Sequence, residues 1–210
     1  MQLHQFQEFN RHSHKTWHAL YRGTLRSRIS QAHSLFVMGL ERLGITEDGI
    51  PELGQLNQTL RQLTGWQIVP VEGLEGPQDF FRELQQRKFP VGNFIREPKD
   101  LTYTPAPDVF HDLYGHIPFF VDRNYAEFCQ QFGERACGYL DQPEKLRQFE
   151  RLFWFGVEFP LVKTGLGDRI FGGGILSSSK ECDYCLSDKP EVRPFDPENI
   201  RLQEYRIDQV

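Results

Sequence analysis

Pro107-Asp108-Val109-Phe110-His111-Asp112-Leu113-Tyr114-Gly115-His116-Ile117-Pro118 sets two histidines five residues apart in an aromatic run, and Phe153-Trp154-Phe155-Gly156-Val157-Glu158-Phe159 sets one carboxylate in another. Pro107 and Asp108 read as a helix start, Gly115 as a left-handed C-cap and Pro118 as a stop. At about 3.6 residues per turn, a continuous α-helix points His111 and His116 to nearly opposite sides. They are therefore not an HExxH-type pair on one helical face. A helix that ends at Gly115 lets His116 turn back toward His111.

Residues 147–161 are rich in Phe, Leu, Val and Trp at helical spacing, and Glu158 interrupts them. On a continuous helix Trp154, Phe155, Leu161 and Val162 share its face. A carboxylate on an apolar face needs a partner, because burying an unpaired charge costs several kcal/mol, on the order of a domain's whole stability. Arg151 and Lys163 are the plain candidates; a metal shared with the two histidines is the other. A histidine taken alone is more often structural than a ligand. Two histidines and one carboxylate with open positions, however, form the ligand set of non-haem Fe(II) sites that activate oxygen.

Outward from these two stretches the chain reads as mainly α with a few short strands, an α+β domain. Residues 17–43 have the period of one long helix, and residues 53–64 of a second that closes before Gly65. Residues 67–71 are short, partly β-branched and bounded by Gly and Pro, hence extended. Helices are expected over 78–87, 108–114, 125–137 and 143–164, the last kinked or ended near Pro160. Residues 89–95 read as extended and 165–174 as glycine-rich and irregular. No repeat, low-complexity segment or linker divides the chain. The organisation expected is a polar N-terminal segment over 1–15 and one catalytic domain over 16–210.

With 210 residues the chain is long enough for one domain with a sizeable core, and its 18 phenylalanines suffice to wall a large apolar pocket. A net charge of -5 argues against nucleic acid or an anionic membrane surface as partner. The start is polar with no apolar signal core, and no later run approaches membrane-spanning length, so a soluble cytoplasmic protein is expected. Cys182-Asp183-Tyr184-Cys185 has CxxC spacing but no second pair and no βαβ context; with Cys129 and Cys137 these read as reduced structural thiols.

The two quoted stretches resemble the iron-binding segments of the pterin-dependent aromatic amino acid hydroxylases, above all the single-domain bacterial phenylalanine hydroxylases. Lys15-Thr16-Trp17, Gly39-Leu40-Glu41-Arg42-Leu43-Gly44, Leu63-Thr64-Gly65-Trp66, Val69-Pro70-Val71-Glu72-Gly73-Leu74, Arg87-Lys88-Phe89-Pro90-Val91, Phe94-Ile95-Arg96-Glu97-Pro98, Gly174-Ile175-Leu176-Ser177-Ser178 and Tyr205-Arg206-Ile207-Asp208 resemble the family in the same order. The resemblance implies the fold of that catalytic domain, Fe(II), a tetrahydropterin (tetrahydrobiopterin or a bacterial one) as two-electron donor, and O2 as cosubstrate.

Carried over position by position, it implies His111, His116 and Glu158 as metal ligands. Gly73 and Leu74 meet the pterin edge, Phe80 stacks on its ring, and Asp112 faces pterin and iron-bound water. For the substrate it implies Arg96 at the amino acid's carboxylate, with Asp108 holding Arg96, and Thr104, Pro107, Trp154, Phe159, Ser177 and Ser178 around it. Ser177 also fits as a partner of His111. A guanidinium suits the first task because it binds a carboxylate bidentately. Trp154 leans toward a single-ring substrate, with L-phenylalanine leading and other aromatic amino acids or ring positions open. Taken singly, the plain readings stand beside these: a turn glycine, a core phenylalanine, a surface arginine paired with Glu97 or Asp100.

Departures from the family pattern are Ala106 for a usual Glu, Pro160 for a usual Gly, and an end at Val210 where relatives continue, which puts closure of one pocket wall in question. With neither a regulatory domain nor a tetramerisation helix, a monomer or weak dimer is expected. A zinc hydrolase fits poorly, since no glutamate flanks the first histidine as in HExxH. A shortened relative that binds metal or an aromatic amino acid without turnover stays open.

Overall fold

The computed structural model describes residues 6–99, 101 and 106–205. Helices α1 (Arg11–Gly23), α2 (Leu25–Ser30) and α3 (Ser34–Leu43) fill the region expected as one long helix. The breaks have physical causes. Thr24 turns its hydroxyl to Tyr21 O and to the phenol of Tyr114, at 3.0 and 2.8 Å. Between α2 and α3 the backbone is taken by a strand that comes much later: His33 N–H donates to Ile170 O and Ile170 N–H to Gln31 O, both at 2.9 Å. α1 also begins inside the polar stretch 1–15, capped by the Asn10 side chain.

α4 (Leu53–Thr64) has the expected bounds. Glu52 accepts from Gly54 and Gln55 N–H at its start, Gly65 closes it at φ 78°, and Leu56 and Leu60 face the core. Strand β1 (Gln67–Val71), helix α5 (Pro77–Gln85) and strand β2 (Lys88–Gly92) form a parallel crossover unit with Ile68 opposite Phe89. α6 (Arg123–Cys137) packs along α5.

Residues expected as a helix ending at Gly115 form something wider. After one α-turn at Val109 and Phe110, residues His111–His116 make a π-helical turn that passes into a 3-10 turn, Ile117–Val121. Ile117 N–H donates to Asp112 O, five residues back, as a π-turn requires. Gly115 is not left-handed, and Pro118 opens the 3-10 turn instead of stopping the chain. Asp108 does start the helix, its Oδ1 accepting from His111 N–H at 3.0 Å.

The back of this segment is locked into aromatic packing. Phe110 stacks on Tyr114 at 4.8 Å, and Trp17 and Phe36 meet the pair edge-on. Arg28 donates to the Tyr114 phenol at 3.0 Å and lies over the Tyr21 ring.

A second departure mirrors the first. The helix expected over 143–164 is α7 (Pro143–Phe153) followed by a π-turn, Trp154–Glu158, and then Pro160, which cannot continue a helix. Residues 161–170 form a hairpin of β3 (Leu161–Thr164) with β4 (Gly167–Ile170), so the stretch read as irregular holds a strand. Helices α8 (Gly173–Leu176), α9 (Ser179–Cys185) and α10 (Pro197–Ile200) complete the chain. Among the described residues no helix is long and apolar enough to cross a membrane. All four cysteines are free, three of them buried.

α3 crosses the 3-10 turn so closely that a Cβ on Gly39 lands 2.0 Å from Pro118 O, a backbone atom that cannot step aside. Gly39→Ala is expected to destabilise the fold by about 1–3 kcal/mol, read from the urea midpoint. Gly23→Ala, with nothing within 4 Å, is the control and is expected to shift stability by less than about 1 kcal/mol.

Candidate metal centre and its pocket

The two π-turns deliver three donor atoms to one point. His116 Nε2 lies 3.0 Å from His111 Nε2 and 3.1 Å from Glu158 Oε2, and His111 Nε2 lies 3.6 Å from the same oxygen. In an α-helix residues five apart diverge, but a hydrogen bond spanning five residues returns residue i+5 above residue i, so the wider turn puts both imidazoles on one face. Neither Arg151 nor Lys163 meets Glu158. Arg151 is occupied by Arg201 O and the Glu204 carboxylate, and Lys163 is exposed.

Each donor is fixed from behind. His111 Nδ1 is 3.0 Å from Ser177 Oγ, which itself donates to Gly174 O. His116 lies under the Phe89 ring, its Nδ1 buried without a partner among the described residues. Glu158 receives a backbone N–H from Gly174. Gly172 and Gly173 are there because nothing larger fits: a Cβ on the first meets Glu158 O at 2.2 Å, and on the second the His116 ring at 2.3 Å.

Burial pulls the His111 imidazole down to about 4, which leaves it neutral with a free lone pair. Burial also opposes charge on His116 and Glu158, yet their mutual attraction wins, raising the imidazole and lowering the carboxyl. Two imidazole nitrogens and a carboxylate crowded together in this way can share a proton or, once it is displaced, a cation among them. Right-angled ligands on bonds of about 2.1 Å stand about 3.0 Å apart, close to the spacing found. Asp112 also borders the histidines within 4.8 Å. Its Oδ2, however, accepts from Gly92 N–H at 2.8 Å, and burial pushes its carboxyl up to about 7. Glu158 is the nearer carboxylate to both rings and the better third ligand.

The three donors sit at the base of a cavity of about 440 Å³. Gly73, Leu74, Phe80, Asp112, Pro107 and Trp154, all expected around ligands, line it. Phe80 stands edge-on to Phe153 at 4.9 Å. Gly73 has φ 78°, the left-handed geometry that turns the loop between β1 and α5 over the cavity.

Other expected residues lie behind the wall. Arg96 is clamped by Asp108, Nε to Oδ2 at 2.8 Å and Nη2 to Oδ1 at 2.9 Å, and its Nη1 reaches Leu101 O at 3.4 Å. Asp108 is fully buried and holds Arg96 and the helix start together, so it orients Arg96 and has no surface for a substrate. Phe159 packs on Trp154 at 4.9 Å. Ser177 serves His111, and Ser178 caps α9 through Glu181 N–H, so neither lines the cavity. Thr104 lies outside the described residues.

Among the wall residues not singled out as site residues from the sequence are Tyr205 and Glu75. Tyr205 stacks on Trp154 at 4.7 Å and lines the cavity. Its place among residues matching the family was the available signal. Glu75 lines the cavity from the Gly73 loop, and no motif marked it.

The profile of the family described as biopterin-dependent aromatic amino acid hydroxylase matches residues 4–210. The phenylalanine-4-hydroxylase of Pseudomonas aeruginosa is 39% identical over 195 residues, covering 93% of this chain and 74% of the relative. The iron- and phenylalanine-bound crystal structure of the Chromobacterium violaceum phenylalanine hydroxylase superposes with a TM-score of 0.89 at 39% identity, covering 96% of this chain and 73% of that one. A structure of the same enzyme with iron(III) and 7,8-dihydrobiopterin gives 0.88 at 38%, covering 96% and 74%. A matching family profile over nearly the whole length and this degree of identity place the chain in the biopterin-dependent aromatic amino acid hydroxylase family.

Proposed function

We propose that this protein hydroxylates the ring of an aromatic amino acid, L-phenylalanine to L-tyrosine, using Fe(II), a tetrahydropterin and O2. The observation that carries the reading is the convergence of His111, His116 and Glu158 at the base of an aromatic-walled cavity. Bound iron and reduced pterin supply the electrons and the activation that ground-state oxygen lacks toward a closed-shell ring.

The residues divide the work by chemistry. His111, His116 and Glu158 would hold the metal, and two imidazoles with one carboxylate are a ligand set that keeps coordination positions open for substrates. Ser177 fixes the His111 ring, and Gly174 N–H the Glu158 carboxylate. Phe80 offers a ring for the pterin to stack on, and the Gly73–Leu74 backbone offers hydrogen bonds to its edge. Asp112, anchored by Gly92, faces the histidines with a carboxyl raised to about 7, suited to hold a proton beside metal-bound water. Arg96 keeps Nη1 outside the Asp108 fork, where it reaches Leu101 O from behind the cavity wall, and is the guanidinium assigned here to the substrate carboxylate. Trp154, backed by Phe159 and Tyr205, walls a slot for a single ring and keeps water out.

We place the protein in the cytoplasm. Four free cysteines, three of them buried, suit a reducing compartment.

Anaerobic protein loaded with Fe(II) and then given tetrahydropterin, O2 and L-phenylalanine is expected to form tyrosine, followed by mass, in step with pterin oxidised. Pterin oxidation with no hydroxylated product from any aromatic amino acid overturns the reading. His111→Ala and Glu158→Ala are expected to lose bound iron and to cut tyrosine formation by on the order of 10³-fold or more; full activity in either removes the ligand assignment.

Ser177→Ala is expected to keep the fold and weaken iron affinity about 10–100-fold, measured by chelator competition. Asp108→Asn leaves the buried Arg96 charge without its carboxylate, and is expected to cost about 3–5 kcal/mol in urea unfolding. In the fraction that folds, KM for L-phenylalanine is expected to rise.

A further inference from the structure

Three carboxylates gather around the start of α5: Glu75 in the loop before it, and Asp79 and Glu83 within it. Two have cations. Arg82 is 2.8 Å from Asp79 and Lys88 is 3.7 Å from Glu83. Glu75 has neither an ion pair nor a hydrogen bond among the described residues, and its Oε2 is sealed from solvent. Leaving such a group unmatched costs stability, so its position needs a reason. Burial, with Glu83 and Asp79 adding repulsion, pushes its carboxyl up to about 7, so it would gain from a donor.

That donor has a place to stand. Glu75 lines the cavity between Leu74 and Pro77, on the wall that carries Phe80. A flat heterocycle stacked on Phe80 presents its edge to this loop. The pterin ring carries a 2-amino group beside a ring N–H, a guanidine-like edge that matches the two oxygens of a carboxylate.

We propose that Glu75 is a cofactor-selecting residue, its carboxylate accepting hydrogen bonds from the 2-amino and ring N–H edge of the pterin. The proposal rests on the pterin reading above and assigns the selectivity to a side chain, where the Gly73–Leu74 loop offers backbone alone. A 2,4-dioxo ring of the same size sets a carbonyl against the carboxylate and is rejected. Glutamine in place of Glu75 removes the charge and offers the carbonyl an N–H, so the discrimination narrows.

The test is equilibrium binding by calorimetry to the full Fe(II)-loaded chain under anaerobic conditions, with 6,7-dimethylpterin and 6,7-dimethyllumazine as probes. Wild type is expected to prefer the pterin by at least about tenfold. Glu75→Gln and Glu75→Leu are expected to bring the two probes to within about threefold, and Glu75→Asp to restore part of the preference. Urea midpoints identify any variant that fails to fold, and the wild-type ratio decides by itself whether discrimination exists. An unchanged ratio in folded Glu75→Gln, or equal binding of both probes by wild type, overturns the role of Glu75 and leaves the hydroxylase reading intact. A wild type that binds neither probe overturns both.

Discussion

Three donor atoms held within 3.0–3.6 Å of one another must share a proton or a cation, and the fold is arranged to keep them there. Two π-turns are the means. A π-turn is less favourable than the α-helix it interrupts, and such turns cluster where a side chain must be re-aimed. Here one re-aims His116 onto the face of His111, and the other ends α7 so that Glu158 comes to the same point. What offsets the cost lies on the opposite side of the chain. Phe110 and Tyr114, both fully buried, bind the back of the first turn into the cluster with Trp17, Tyr21 and Phe36.

The same constraint explains the collar around the site. Bringing Glu158 and His116 together leaves no room for a side chain on the segment that passes them, and Gly172 and Gly173 supply backbone alone. The hairpin of β3 and β4 then fixes where that segment begins. Ile170 is tied to Gln31 and His33, while Phe171 and Gly172 N–H both donate to Pro160 O. Pro160 thus sits where its carbonyl is used and where no helical N–H is needed.

Much of this was legible in the sequence where the cause was local. α4 was readable to the residue because a cap, an amphipathic period and a closing glycine agree. The ligand set was readable because a carboxylate in an apolar run demands a partner. The break between α2 and α3 was not, since the strand that takes those backbone groups is distant in sequence. Nor was the shared face of the histidines, because a periodicity of 3.6 assumes the turn that the packed site abandons. Gly115, read as a helix end, lies inside the turn, and the glycines after residue 170 looked like irregular chain until their neighbours were known.

Charge in the pocket is sorted by what each part must meet. Glu158, Asp112 and Glu75 all border the cavity, whereas Arg96 is drawn back behind the wall by Asp108. An anionic lining attracts a divalent cation and the N–H edge of a heterocycle, and it repels a free carboxylate. Had Arg96 stood free in the cavity, Glu158 and Asp112 would have offered it carboxylate partners there. Asp108 therefore does more than steady an arginine: by occupying two of its nitrogens it keeps this cation apart from the carboxylates that border the two histidines.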